Sequence, residues 1–86
     1  MTIYLVDEPF ADLALEYAER DELAKVVLLQ DAVYLARNKT LPNEVYVLSE
    51  DVVRRGLQSA IPTNVHIIDY GDLVDMMEAE KVVNFL

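Results

Sequence analysis

The side chains in this sequence with the most chemical potential are acids, and they recur at comparable places. Asp7-Glu8, Gln30-Asp31, Ser49-Glu50-Asp51 and Asp69 with Asp72 each directly follow a short apolar run. Clustered carboxylates are what a hard divalent cation takes, so one reading of these acids is a site for a cation or small ligand. A phosphoacceptor site would use similar acids but also needs a basic residue on the same rim, and no Lys follows any of the runs. The other reading is local: an acid at the start of a helix caps free N–H groups and meets the positive end of the helix dipole, which accounts for each acid singly. His66 is the single histidine and sits inside an apolar run between Val65 and Ile67, with nothing to orient it as a base. Ser49 lacks a G-x-S-x-G elbow, and its type suits a helix cap. Gly56 and Gly71 stand alone, so no glycine-rich loop cradles a phosphate. Cysteine is absent, which removes disulfides, thiolate-held metals, iron–sulfur clusters and any thiol or persulfide chemistry on this chain. The residues assign no catalytic group, no metal-ligand set and no cofactor, and the expectation is a protein that is not an enzyme.

The elements that hold these residues are legible in the apolar runs Ile3–Val6, Val26–Leu29, Val45–Leu48 and Val65–Ile68, rich in Val, Ile and Tyr as buried strands are. Their starts lie 23, 19 and 20 residues apart, room for a helix and two tight turns between successive strands. The chain therefore reads βαβαβαβα, a single small α/β domain over 1–86. The expected sheet is four-stranded and mainly parallel, of order 2-1-3-4, with helices on both faces and strands 2 and 4 at its edges. In the first helix Phe10, Leu13, Ala14 and Tyr17 form an apolar stripe, with Pro9 in the first turn. The second starts at Asp31, runs through Val33, Leu35 and Ala36, and is stopped by Asn38 and Leu41-Pro42. The third follows Ser49 as N-cap, and Gly56-Leu57 fits a left-handed C-terminal cap. The fourth follows Asp69-Tyr70-Gly71, with Leu73, Val74 and Met77 as its buried stripe. The apolar tail Val82–Leu86 is expected to pack on the domain or on a neighbouring chain.

Charge restricts the partners. Sixteen acids against seven bases give a net −9 over 86 residues. The bases, Arg20, Lys25, Arg37, Lys39, Arg54, Arg55 and Lys81, are scattered along the chain. Direct nucleic-acid binding needs a basic face, and this sequence has none; an anionic membrane surface is disfavoured for the same reason. No apolar run approaches the ~20 residues of a membrane span, and Ile3–Val6 follows without a basic lead segment, so a cytoplasmic location is expected. A chain this short buries only about 60–65% of its unfolded surface, and a small core with open sheet edges points to oligomerisation. Tyr34 and Tyr70 stand close after strands, where a large rigid body with a polar tip suits an interface.

Three ordered segments carry a family resemblance. Leu28-Leu29-Gln30-Asp31-Ala32-Val33-Tyr34 resembles the strand-exit motif of the TusB/DsrH family of sulfur-relay proteins. The segment from Val45 to Leu57, with Ser49-Glu50-Asp51 and Arg54-Arg55-Gly56-Leu57, is similar to the strand and helix that follow. Ile68-Asp69-Tyr70-Gly71-Asp72-Leu73-Val74-Asp75 is similar to the closing segment of that family. The resemblance implies a small α/β fold with a parallel sheet. It also implies a place in complexes that pass persulfide sulfur between protein cysteines, for 2-thiolation of the transfer-RNA wobble uridine or for sulfur oxidation. The expected partners are cysteine-bearing relay subunits of the TusC/TusD or DsrE/DsrF type, or further copies of this chain. Many members of the family carry a cysteine in the first helix, near Glu16 here. A persulfide needs a thiolate, and this chain has no cysteine, so the resemblance implies a positioning or scaffolding role. The expected partner-binding residues are Gln30, Asp31, Tyr34, Glu50, Arg54 and Tyr70. The alternative is a stand-alone homo-oligomer binding a small ligand or divalent cation at the acidic rim.

Overall fold

The chain alternates strands and helices: β1 (Thr2–Val6), α1 (Ala11–Glu19), β2 (Lys25–Leu28), a 3₁₀ segment (Gln30–Arg37), β3 (Glu44–Leu48), α2 (Ser49–Arg54), β4 (His66–Ile68), α3 (Tyr70–Ala79) and β5 (Lys81–Phe85). The computed structural model describes residues 2–21, 23–37 (the Arg37 side chain aside) and 43–86. All five strands are parallel and lie in the order β4-β3-β2-β1-β5. The α/β class, the parallel pairing and the four expected strands hold; the strand number and the order do not. The tail is itself a strand, pairing Thr2 with Lys81 through Val6 with Phe85. The chain steps from β1 to β4 without reversing, so β3 does not lie beside β1; strand 4 is an edge as expected, and the other edge is β5 rather than strand 2. Burial explains the correction: Val26, Val27 and Leu28 of β2 are at most 1% exposed, which requires neighbours on both sides.

Right-handed crossovers place connections on one face while the chain steps one way and on the other when it returns. The two buried clusters follow that division. Val6, Val26, Leu28, Val45 and Val47 pack with α1, the 3₁₀ segment and α2 on the first face. Ile3, Leu5, Val27 and Leu48 pack with Leu73 of α3 on the second, where Met76, Ile68 and Val82 join them in part.

The helices keep their places and alter their faces. In α1 the buried residues are Ala11, Ala14, Leu15 and Ala18; of the expected stripe only Ala14 is inside, and Phe10, Leu13 and Tyr17 are nearly half exposed. Small side chains let the helix axis approach the sheet, and that closeness outweighs the greater hydrophobicity of the aromatic flank. Pro9 precedes the helix, whose N-cap is Phe10. The second helix is a 3₁₀ segment that begins at Gln30, not an α-helix capped by Asp31; the expected stops Asn38 and Leu41-Pro42 lie outside the described residues. Ser49 does not cap α2. β3 runs straight into the helix, Leu48 holds the N-cap position, and no side chain caps it. The other end of α2 is as expected: Gly56 takes φ +65°, its N–H donates to the Val53 carbonyl (3.1 Å), and the Leu57 N–H donates to the Val52 carbonyl (3.0 Å). That Schellman pair buries Leu57 in the same cluster as Val52.

On the second face α3 opens with a capping box. Asp69 Oδ1 accepts from the Asp72 N–H (2.7 Å), and the Asp69 N–H donates to Asp72 Oδ2 (3.3 Å). Leu73 is buried as expected, whereas Val74 and Met77 face outward and Met76 takes the inner position. His66 is exposed and its ring stacks on Tyr46 at 4.9 Å, a packing contact. A buried amide went unanticipated: Asn43 Nδ2 donates to the carbonyls of Ala18 (3.0 Å), Asp21 (2.8 Å) and Ala24 (3.1 Å), tying the end of α1 and the turn after it to the start of β3.

Candidate functional site

Ligand sites in open parallel sheets form where the connections after neighbouring strands leave toward opposite faces. β3 and β4 are such neighbours: the chain after Leu48 enters α2 on the first face, and the chain after Ile68 enters α3 on the second. A groove of about 200 Å³ lies at that point. Leu29, Leu48 and Leu73 line its apolar part, and Gln30, Glu50, Asp51, Arg54 and Tyr70 its polar part. A wider and more open hollow of about 430 Å³ continues along α2 past Ser49, Glu50, Val53 and Arg54.

Four of the six expected residues, Gln30, Glu50, Arg54 and Tyr70, therefore come together around one groove. Gln30, Glu50 and Arg54 are exposed there, and Tyr70 is 63% exposed. Among the described residues Arg54 makes no ion pair, although the chain is strongly acidic. Asp31 and Tyr34 do not line the groove. Asp31 is drawn to Arg55, whose Nε and Nη2 donate to its Oδ1 at 3.1 and 3.0 Å. Tyr34 sits farther along the 3₁₀ segment, about one-third exposed.

Two residues that build the site, Asp51 and Arg55, were not among the expected partner-binding residues. Gln30 adopts φ +50°, a left-handed conformation that costs a non-glycine residue roughly 1–2 kcal/mol. Asp51 offsets that cost: its Oδ2 accepts the Gln30 N–H at 2.8 Å, and the residue is buried. Arg55 lies 3.5 Å from Asp51 Oδ1 and donates to the Asp51 carbonyl at 3.3 Å while also gripping Asp31. Arg55 thus bridges α2 to the turn after β2 and fixes where Gln30 projects. The signal for this pair was the i,i+4 spacing of Asp51, in α2, and Arg55, the C-cap of that helix.

The geometry can present a partner with an apolar slot edged by an amide, a carboxylate, a guanidinium and a phenol. The rim acids do not converge into a cation cage: among the described residues no three His, Asp or Glu side chains form a group able to hold a metal ion. No helix of the described residues is long and apolar enough to cross a membrane.

Fold and groove define an all-parallel α/β fold with an apolar slot at its switch point. Comparison with known proteins makes this specific. The family model described as DsrH like protein matches residues 8–83. The chain is 40% identical to Protein TusB of Escherichia coli (strain K12) over 73 residues, covering 76% of this chain and 74% of that one. The same identity and coverage relate it to Protein TusB of Escherichia coli O81 (strain ED1a) and of Escherichia coli O1:K1 / APEC. The chain belongs to the DsrH/TusB family, as a member without cysteine.

Proposed function

We propose that this chain is a non-catalytic subunit of a sulfur-relay complex, serving 2-thiolation of the transfer-RNA wobble uridine or sulfur oxidation. It meets cysteine-bearing TusC/TusD- or DsrE/DsrF-type subunits through the groove at its switch point. The observation that carries the reading is convergence. The three segments that resemble the family are far apart in sequence, yet each supplies part of one groove: Leu29 and Gln30 from the first, Leu48, Glu50 and Arg54 from the second, Tyr70 and Leu73 from the third. Likeness to Protein TusB over three quarters of both chains supports the pathway. A persulfide needs a sulfur nucleophile, and this chain has none, so the transferred sulfur stays on partner cysteines while this subunit orders them. Gln30, Glu50, Arg54 and Tyr70 are the contact residues; Asp31 supports them through Arg55, and Tyr34 extends the surface along the 3₁₀ segment.

The test is co-expression with the cysteine-bearing relay subunits of the same organism, followed by loading with ³⁵S-persulfide. The expected result is a stable complex in which label resides only on the partners, and in which Tyr70→Ala with Arg54→Glu lowers affinity at least about tenfold. Recovery of this chain solely as an isolated monomer beside those subunits sinks the proposal.

A further inference from the structure

A second surface lies at the edge of the sheet away from β4. β5 pairs with β1 on one side, and no described strand covers its other side. The Asp7 N–H donates to the Phe85 carbonyl at 3.0 Å. By strand alternation Lys81, Val83 and Phe85 turn their main-chain groups toward β1, and Val82 and Asn84 turn theirs outward. Beside this open edge α1 exposes Phe10, Leu13 and Tyr17, each 46–48% accessible. Tyr17 stacks on Phe85 at 5.9 Å, and Phe85 on Tyr4 at 6.0 Å. Main-chain edge and aromatic flank thus form one continuous surface.

Charge selects the occupant. Residues 7–21, in and around α1, hold six acidic side chains and one basic, a net −5 out of the −9 of the chain. Two copies joined at this edge would set these charges against each other, whereas a basic rim would complement them. We infer that the β5 edge and the flank of α1 form a docking surface for a different chain, a cysteine-bearing relay subunit that adds a strand to β5 and sets basic side chains against the α1 acids. The occupant's identity as a relay subunit rests on the function proposed above; the surface is separate from the groove.

The test is hydrogen exchange and sedimentation on the full chain, alone and co-purified with its cysteine-bearing relay subunits. In the complex the outward amides of Val82 and Asn84 should exchange at least about tenfold more slowly than in the free chain. Leu13→Asp should weaken association about tenfold or more, and Glu16→Lys by a smaller factor with a flatter salt dependence. Both positions are exposed, so circular dichroism should be unchanged. A complex in which Val82 and Asn84 exchange freely and Leu13→Asp binds undiminished overturns the inference and leaves the groove-based function standing. A homodimer of the chain alone that Leu13→Asp dissociates also overturns it, since the occupant is then a second copy. Failure to form any complex overturns both.

Discussion

The two faces of the sheet are built differently. On the first, α1, the 3₁₀ segment and α2 bury a continuous cluster that includes Val6, Leu15, Val26, Leu28, Val33, Val47 and Val52. On the second, α3 alone crosses from β4 to β5, with Leu73 as its one fully buried side chain. The outer side of α3 shows Tyr70, Val74 and Met77 to solvent. The second face also carries the polar contacts that a thinner cover permits: Lys25 Nζ pairs with Glu80 at 3.3 Å, and the Tyr46 hydroxyl donates to Glu44 at 3.1 Å. Stability is therefore concentrated on one side, and the groove sits where that side meets the lightly covered one.

Substitutions can break or sharpen that contrast. Leu28→Ala empties a site 1% exposed at the centre of the first face and should cost about 3–4 kcal/mol in denaturant unfolding. Leu73→Ala should cost less, about 2 kcal/mol, with early loss of amide protection confined to α3; an equal or greater loss at Leu73 would erase the difference between the faces. Asn43→Ala strips three carbonyls beside the first face of their shared donor and should cost about 1–3 kcal/mol, read by thermal melting. Asp51→Ala leaves the Gln30 N–H without its acceptor; a loss of about 1–2 kcal/mol is expected, together with weaker partner binding, because the turn that presents Gln30 relaxes.

The smallest effect belongs to the second face and to alkaline pH. Burial, then the hydrogen bond and charge of Glu44 and the charge of Glu80, hold the Tyr46 phenol above its ordinary value of 10.0. The folded state therefore keeps this proton more tightly than the unfolded chain. The contribution to stability is full below about pH 10 and is lost as pH rises through the folded value. Tyr46→Phe should flatten the alkaline limb of a stability-versus-pH curve while leaving neutral pH nearly unchanged.

What the sequence makes legible follows the range of the forces involved. The four Val- and Ile-rich runs fall within one residue of β1 to β4 because strand character is local. The Gly56-Leu57 cap is local as well, and it forms as expected. Strand order is not local: Lys81 and Asn84 break the apolar pattern of the tail, and only the open side of β1 makes a strand of it. In α1 two stripes of the same period compete, Phe10-Leu13-Tyr17 and Ala11-Ala14-Leu15-Ala18, and hydrophobicity alone favours the wrong one. At the groove, Gln30, Glu50, Arg54 and Tyr70 were visible because they belong to the segments that resemble the family, and all but Arg54 also stand just after a strand. Asp31 was visible too, but its carboxylate is claimed by Arg55, a pairing between residues 24 positions apart that local pattern does not reveal.

The pairing of β1 with β5 also bears on how the chain folds. Thr2 meets Lys81 and Val6 meets Phe85, so the first strand waits for the last before its second side is closed. The β1–β2–β3–β4 steps each join neighbours in sequence and can assemble early. The β1–β5 step closes nearly the longest loop available in the chain, and contacts of that kind slow folding. Until it forms, β1 is itself a bare edge, the period in which a companion chain or a chaperone has most to offer.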